Sequence, residues 1–229
     1  MYRLPRGESV VWPGSKCASC GAPIKWHDNI PIISWFVLRG RCASCAAPYS
    51  FRYPFVELLT AVLFAACLRK FGLTPPALVY MALCASLVAV IFIDLDHLII
   101  PDKITLPGIA AGFLCAALFL PLPMSDSLYG FLAGGGTFLI LALLVPGGMG
   151  GGDVKLMGMV GAFLGLKSAL LTIFLGSLLG SIGGLAGIVA FGKGRKSKIP
   201  FGPYLAAAAI ASIFFKEELI KTYWRLVTG

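Results

Sequence analysis

Four of the ten acidic residues of this 229-residue chain sit in or beside long apolar runs: Asp94, Asp96 and Asp102 in FIDLDHLIIPDKIT, and Asp153 in PGGMGGGDVK. A carboxylate in such a place is costly and marks a functional site by default. Two carboxylates within a few ångströms cannot both ionise cheaply, so the pair holds one proton between them. The ionised member can then take a proton from a trapped water while the protonated member polarises a carbonyl. Asp94 and Asp153 are the candidates for that pair, and the chemistry is hydrolysis of an amide without a metal or a covalent intermediate. Neither GxSxG nor HExxH is found in the sequence.

The surroundings of Asp153 fit an extended substrate. Gly150, Gly151 and Gly152, with Gly147 and Gly148 ahead of them, give a backbone without side chains beside which a peptide can lie. Lys155 is a candidate for meeting an acidic substrate side chain, with membrane anchoring as its plainer role. No strand precedes GGMGGGD and no GK[ST] follows, so a phosphate loop is a poor fit. The other acids have simpler expectations. Asp102, after Pro101, is predicted to cap a helix. Asp96 lies about 200° around a helix from Asp94 and is expected at the interface. His97 is expected at headgroup level, and Glu57 is expected to pair with a base such as Arg52 or with an interhelical donor.

A second constellation lies near the N-terminus. Cys17 and Cys20 form one CxxC, Cys42 and Cys45 another, 21 residues apart, each in a turn-prone context (CASCGAP, CASCAAP). Two such knuckles can present four sulfurs to one Zn2+ ion in a tetrahedron, leaving no open position, so the predicted metal is structural. The alternatives are two disulfides or a thioredoxin-like redox site. A reducing compartment and the lack of a surrounding βαβ pattern favour zinc. A segment of about 50 residues also needs such a staple. His27 is expected at the surface beside Trp26.

These residues must be held by a membrane protein. The chain is 58% hydrophobic and 13% charged, against roughly 45–50% and 25% in soluble domains. Residues 1–53 carry seven Lys/Arg, three of the four Trp and the four cysteines, and are predicted to be a small soluble domain; 54–229 is mostly apolar. Seven candidate spans follow: 54–71, 76–94, 104–122, 127–146, 154–166, 168–191 and 201–216. The fifth reaches only about 20 Å at 1.5 Å per residue, less than a hydrocarbon core of about 30 Å, so it crosses with local thinning or stops partway. If all seven cross and residues 1–53 are cytoplasmic, the cytoplasmic side receives 13 Lys/Arg, four of them in GKGRKSK, and the other side six. That asymmetry supports seven crossings and places Asp94 and Asp153 at one leaflet. The net charge of +9 therefore reads as membrane-side positive charge, not as a nucleic-acid surface. The start, MYRLPRGESVVWPGS, has no apolar core, so no cleavable signal peptide is expected. Glycines 176, 180 and 184 repeat every four residues and predict close packing of one helix face.

Taken in order, CASC and CASC, DNIPIISWFVLRGRC, YPFVELLTA, IDLDHLIIPDKITLP, GGGDVKLMGMVGAFLG and IPFGPYLA resemble the type IV prepilin peptidases of bacteria over nearly the whole chain. The resemblance implies an integral aspartyl protease of the GxGD kind in the bacterial inner membrane. It removes the basic leader of prepilins or type II secretion pseudopilins on the cytoplasmic side, after a glycine. Many members also methylate the new N-terminus with S-adenosylmethionine. The family's catalytic pair maps onto Asp94 and Asp153, and its zinc-type cysteines onto Cys17, Cys20, Cys42 and Cys45. Gly40 in LRGRC is a cofactor candidate by location alone. Relatives with both activities usually carry a further transmembrane helix ahead of RLPRGES. Two rival classes are a proton-coupled transporter using paired intramembrane acids, and an inactive assembly factor. No internal repeat supports the transporter, and the presence of both aspartates opposes the assembly factor.

Overall fold

The computed structural model describes Leu4, Trp12 and residues 14–145, 149–191 and 200–228. The fold is helical, with no strands among the described residues: a 3-10 turn (Trp26–Asn29), α1 (Ile33–Val37), α2 (Arg52–Phe71), α3 (Pro75–His97), α4 (Asp102–Leu118), α5 (Met124–Leu144), α6 (Gly151–Phe191) and α7 (Gly202–Thr228). Among the described residues, three helices are long and apolar enough to cross a membrane: Pro75–His97, Met124–Leu144 and, within α6, Gly151–Gly187. The GKGRKSK segment that weighted the charge argument, and Gly147 and Gly148, lie outside the described residues.

Sequence chemistry sets the helix ends. Pro75 occupies the first turn of α3, where a missing N–H costs nothing. Leu98 closes α3 in the left-handed conformation, with its N–H on the Asp94 carbonyl. Proline at 121 and 123 separates α4 from α5, so α4 stops at Leu118, short of the expected 122. At the other extreme, α7 continues well past 216 through a charged stretch.

The long segment α6 is two helical arms. Gly165, at φ 77° and ψ −179°, breaks the helix, a conformation that only glycine takes readily. Neighbours on either side show that the chain reverses there. A Cβ on Gly130 would meet the Gly161 carbonyl and one on Gly134 the Met157 carbonyl, so the first arm runs antiparallel to α5. Gly176 meets Leu205, Gly180 meets Phe201 and Thr172 bonds Ser212 at 3.2 Å, so the second arm runs antiparallel to α7. Both arms therefore start or finish at the end of the bundle that holds Gly152 and Gly202. The reversal falls two residues before the expected break at Lys167. Asp126 from α5 accepts the Leu166 N–H at 3.3 Å, and Ser127 Oγ donates to the Ala162 carbonyl at 2.6 Å, tying the turn down. The short first arm is the core: residues 156–165 are all buried. It lies against α5 and α4, where Gly108 faces Met159 and Gly112 faces Ala162. Of the predicted glycine stripe, Gly176 and Gly180 face α7 as expected, and Gly183, against Tyr204, adds to them.

Candidate active site

Asp94 and Asp153 come from α3 and α6 and sit at the same end of the bundle, 5% and 9% exposed. The loop between α3 and α4 joins them. Ile100 lies where a Cβ on Gly152 would fall, 2.9 Å from its own Cβ, and its Cδ1 comes 3.0 Å from a Cβ built on Gly202. Gly202 donates its backbone N–H to Asp94 Oδ2 at 3.0 Å. On the other side, a Cβ on Gly150 would stand 2.9 Å from Asp153 Oδ2. Asp153 Oδ1 is fully covered and has no hydrogen-bond partner. The charge of Asp94 acts on the Asp153 carboxylate. Of the glycines expected to admit substrate, Gly150 and Gly152 are filled by these neighbours, whereas Gly151 has open space around its Cα.

The neighbouring charges are engaged. Asp102 is not the N-cap expected of it: Pro101 holds that position without a side-chain bond, and Asp102 in the first turn of α4 pairs with Lys155 at 2.7 and 2.8 Å. Lys155 therefore ties α6 to α4 beside the site. Asp96 points away from Asp94 and pairs with Arg52 of α2. Arg52 also donates to the Phe92 carbonyl at 2.7 Å and lies over the Phe92 ring, 4.7 Å from its centroid. Glu57, expected to hold Arg52 or an interhelical donor, instead accepts the Ile32 N–H at 2.7 Å and docks the cysteine region onto α2. His97 is exposed at the end of α3. The sequence reading left out Arg52's grip on α3 and the role of Asp126. An acid 39 residues before a glycine-ended arm carries no local signal.

The four cysteine sulfurs lie within 4.8 Å of one another. A tetrahedron with Zn–S bonds of about 2.3 Å needs them about 3.8 Å apart, and Cys17 and Cys45 already stand at 3.9 Å. The donor set therefore fits a four-sulfur metal ion. The two knuckles are built alike. Cys17 N bonds the Ala22 carbonyl and Cys42 N the Ala47 carbonyl, while Gly21 N and Ala46 N return to the carbonyls of Cys17 and Cys42. Gly21 (φ 72°) and Ala46 (φ 56°) take the same left-handed corner. Backbone N–H of Cys20 and then the Tyr49 hydroxyl lower the Cys17 thiol to about 6. Against a lowering by the Ala47 backbone, the Cys20 thiol, burial and the thiols of Cys42 and Cys17 push Cys45 up to about 11. Without a cation the cluster thus keeps some protons that a metal must displace. His27 packs edge-on against Trp26, away from the sulfurs. At Gly40, with φ 66°, a Cβ would lie 2.9 Å from the Trp35 ring.

Residues 1–71 match the bacterial peptidase A24 N-terminal domain, and residues 81–185 match the type IV leader peptidase family. A protein of Aeromonas hydrophila named prepilin leader peptidase/N-methyltransferase is 38% identical over 94% of this chain and 76% of its own. One of the same name from Bacillus subtilis is 35% identical over 99% of this chain and 92% of its own. One from Myxococcus xanthus is 40% identical over 83% of this chain, which spans 58% of that relative. No solved structure matches. Helical architecture, two buried aspartates at one end of the bundle and relatedness over nearly its full length agree: the chain belongs to the type IV leader peptidase family.

Proposed function

We propose that this chain is a membrane-embedded aspartyl endopeptidase that cuts the leader from type IV prepilins or type II secretion pseudopilins at the cytoplasmic face of the bacterial inner membrane. Asp94 and Asp153 are its catalytic pair. The observation that supports the reading is two buried carboxylates from different helices at one end of the bundle, with the charge of Asp94 acting on Asp153. One holds the proton and the other activates water. Open space at Gly151 supports an approach of extended substrate at that residue, with the Lys155–Asp102 pair nearby. The proposed layout is a cytoplasmic domain over residues 1–53 and a membrane body over 54–229 with seven crossings, counting the two arms of α6 separately. It is supported by the reversal at Gly165 and by the antiparallel course of α2 and α3, in which Arg52 meets Asp96 and Phe71 meets Tyr80.

The metal at Cys17, Cys20, Cys42 and Cys45 is proposed to be zinc in a structural role, fixing the two knuckles against each other. N-methylation of the new N-terminus, with S-adenosylmethionine as donor, is proposed from the relatives' names alone, with Gly40 as a candidate contact by location. The test is cleavage of a prepilin with a basic leader by purified protein in detergent. Asp94→Asn and Asp153→Asn should each abolish cleavage without unfolding the protein. Normal cleavage by either variant would remove that residue from the mechanism.

A further inference from the structure

We propose that the backbone N–H of Gly202 divides the labour between the two aspartates: it holds Asp94 as the ionised base and leaves the shared proton to Asp153. The inference deepens the aspartyl peptidase reading above and rests on it. Gly202 is the first residue of α7, and the Phe201 carbonyl already accepts the N–H groups of Tyr204 and Leu205 at 3.1 and 3.2 Å. The N–H of Gly202 has no partner within the helix, as in any first turn, and it points at Asp94 Oδ2 from 3.0 Å in a buried setting. A donor aimed at a carboxylate favours the charged form, and the positive end of a helix adds to it. The start of α7 is fixed in place: the Phe201 ring stacks on Phe138 at 6.1 Å and fills the space over Gly180.

Asp153 differs at one oxygen. The backbone of Gly150 and of Asp153 itself acts on its carboxylate, but its Oδ1 is sealed from solvent with no donor to meet it, an expensive situation for an ionised oxygen and a cheap one for a carboxyl that carries a proton to give. Arg52 of α2 is held by Asp96 and Lys155 of α6 by Asp102. The charge of Asp94 acts on Asp153 of the packed neighbour, and His97 on the Asp94 helix is exposed.

The step follows. Asp94 takes a proton from water as the water oxygen bonds to the carbonyl carbon, and Asp153 gives its proton to the carbonyl oxygen, forming a gem-diol. The C–N bond then breaks. Asp94 passes its proton to the leaving nitrogen while Asp153 recovers one from a diol hydroxyl, so both groups return to their starting states. Gly202 touches no substrate; it is a positioning residue. Its glycine is required because a Cβ would stand 2.7 Å from Asp94 Oδ2 and 3.0 Å from Ile100 Cδ1.

The test is the pH profile of kcat/KM for prepilin cleavage by the full chain in detergent, for the parent, Gly202→Ala, Gly202→Ala with Ile100→Val, Gly150→Ala and Asp94→Asn. Gly202→Ala should move the acid limb up by about one pH unit, the worth of one hydrogen bond to a charge, and leave the basic limb in place. Ile100→Val removes the crowding methyl but not the push on Asp94, so it should not restore the profile. Gly150→Ala, whose Cβ would crowd only Asp153, should move the basic limb alone. Restoration by Ile100→Val, or a basic limb that moves with Gly202→Ala, overturns the assignment. If Gly202→Ala does not fold, an acid limb moved by Gly150→Ala overturns it instead. Asp94→Asn separates the two ideas: cleavage by that variant sinks the peptidase reading, whereas an inactive Asp94→Asn beside a parent-like Gly202→Ala sinks only the division of labour.

Discussion

Asp126→Ala tests whether a carboxylate far from the proposed catalytic pair holds the reversal of α6. In the parent, Asp126 Oδ1 accepts the N–H of Leu166, the first residue after Gly165, at 3.3 Å. Loss of a side-chain acceptor at a helix start costs about 0.5–2 kcal/mol. The bond here is long and Asp126 is half-exposed, so about 1 kcal/mol is expected. For a chain of this length that lowers the melting temperature by about 2–4 °C. Asp126→Asn keeps an oxygen in the same place and should recover most of the loss. The assay is thermal unfolding in a single detergent, with cleavage measured well below the midpoint. The first arm of α6 is about 20 Å long, so Asp153 is remote from the change and the cleavage rate should stay at the parent value. Equal melting temperatures for parent and Asp126→Ala, or an Asn variant as unstable as the Ala variant, would refute the reasoning.

Three further outcomes are expected. Gly161→Ala places a Cβ onto the Gly130 carbonyl and should cost about 1–3 kcal/mol or prevent folding, while Gly151→Ala, with open space around it, should keep the parent's melting temperature and report on substrate approach through KM. Arg52→Ala releases Asp96 and the Phe92 carbonyl together; partial exposure limits the stability loss to about 1 kcal/mol or less, so a fall in cleavage larger than the fall in stability would identify Arg52 as the brace of the Asp94 helix. Metal analysis should give about one zinc per chain. Binding should weaken as pH falls, because the metal takes only thiolates, and calorimetry in two buffers at pH 7 should count fewer than four protons released, since Cys17, at about 6, is already a thiolate there. Release of all four would contradict that environment.

Much of this molecule was legible in the sequence because its chemistry is local. Paired CxxC motifs with similar flanks set the same backbone corner twice, and proline and glycine punctuation located most helix ends. Convergence of Asp94 and Asp153 at one end followed from counting reversals. What escaped the sequence depends on contacts between distant segments. Asp102 looked like a cap because it follows a proline, but a lysine 53 residues away claims it. Glu57 was expected to meet a base, yet the Ile32 N–H reaches it first, with Ile32 itself at φ 63°. The short fifth segment raised the expectation of a thinned bilayer or a helix that stops partway; in the structure it is the first arm of α6, buried against α4 and α5.

That shielding has a consequence for the enzyme's surroundings. Asp153 is mounted on an arm whose residues 156–165 touch only protein, so swapping detergents, or moving between membranes of differing acyl-chain length, will tilt and reseat the outer helices before it disturbs the acid. The geometry of the proposed catalytic pair is thereby insulated from the solvent in which the rest of the protein floats.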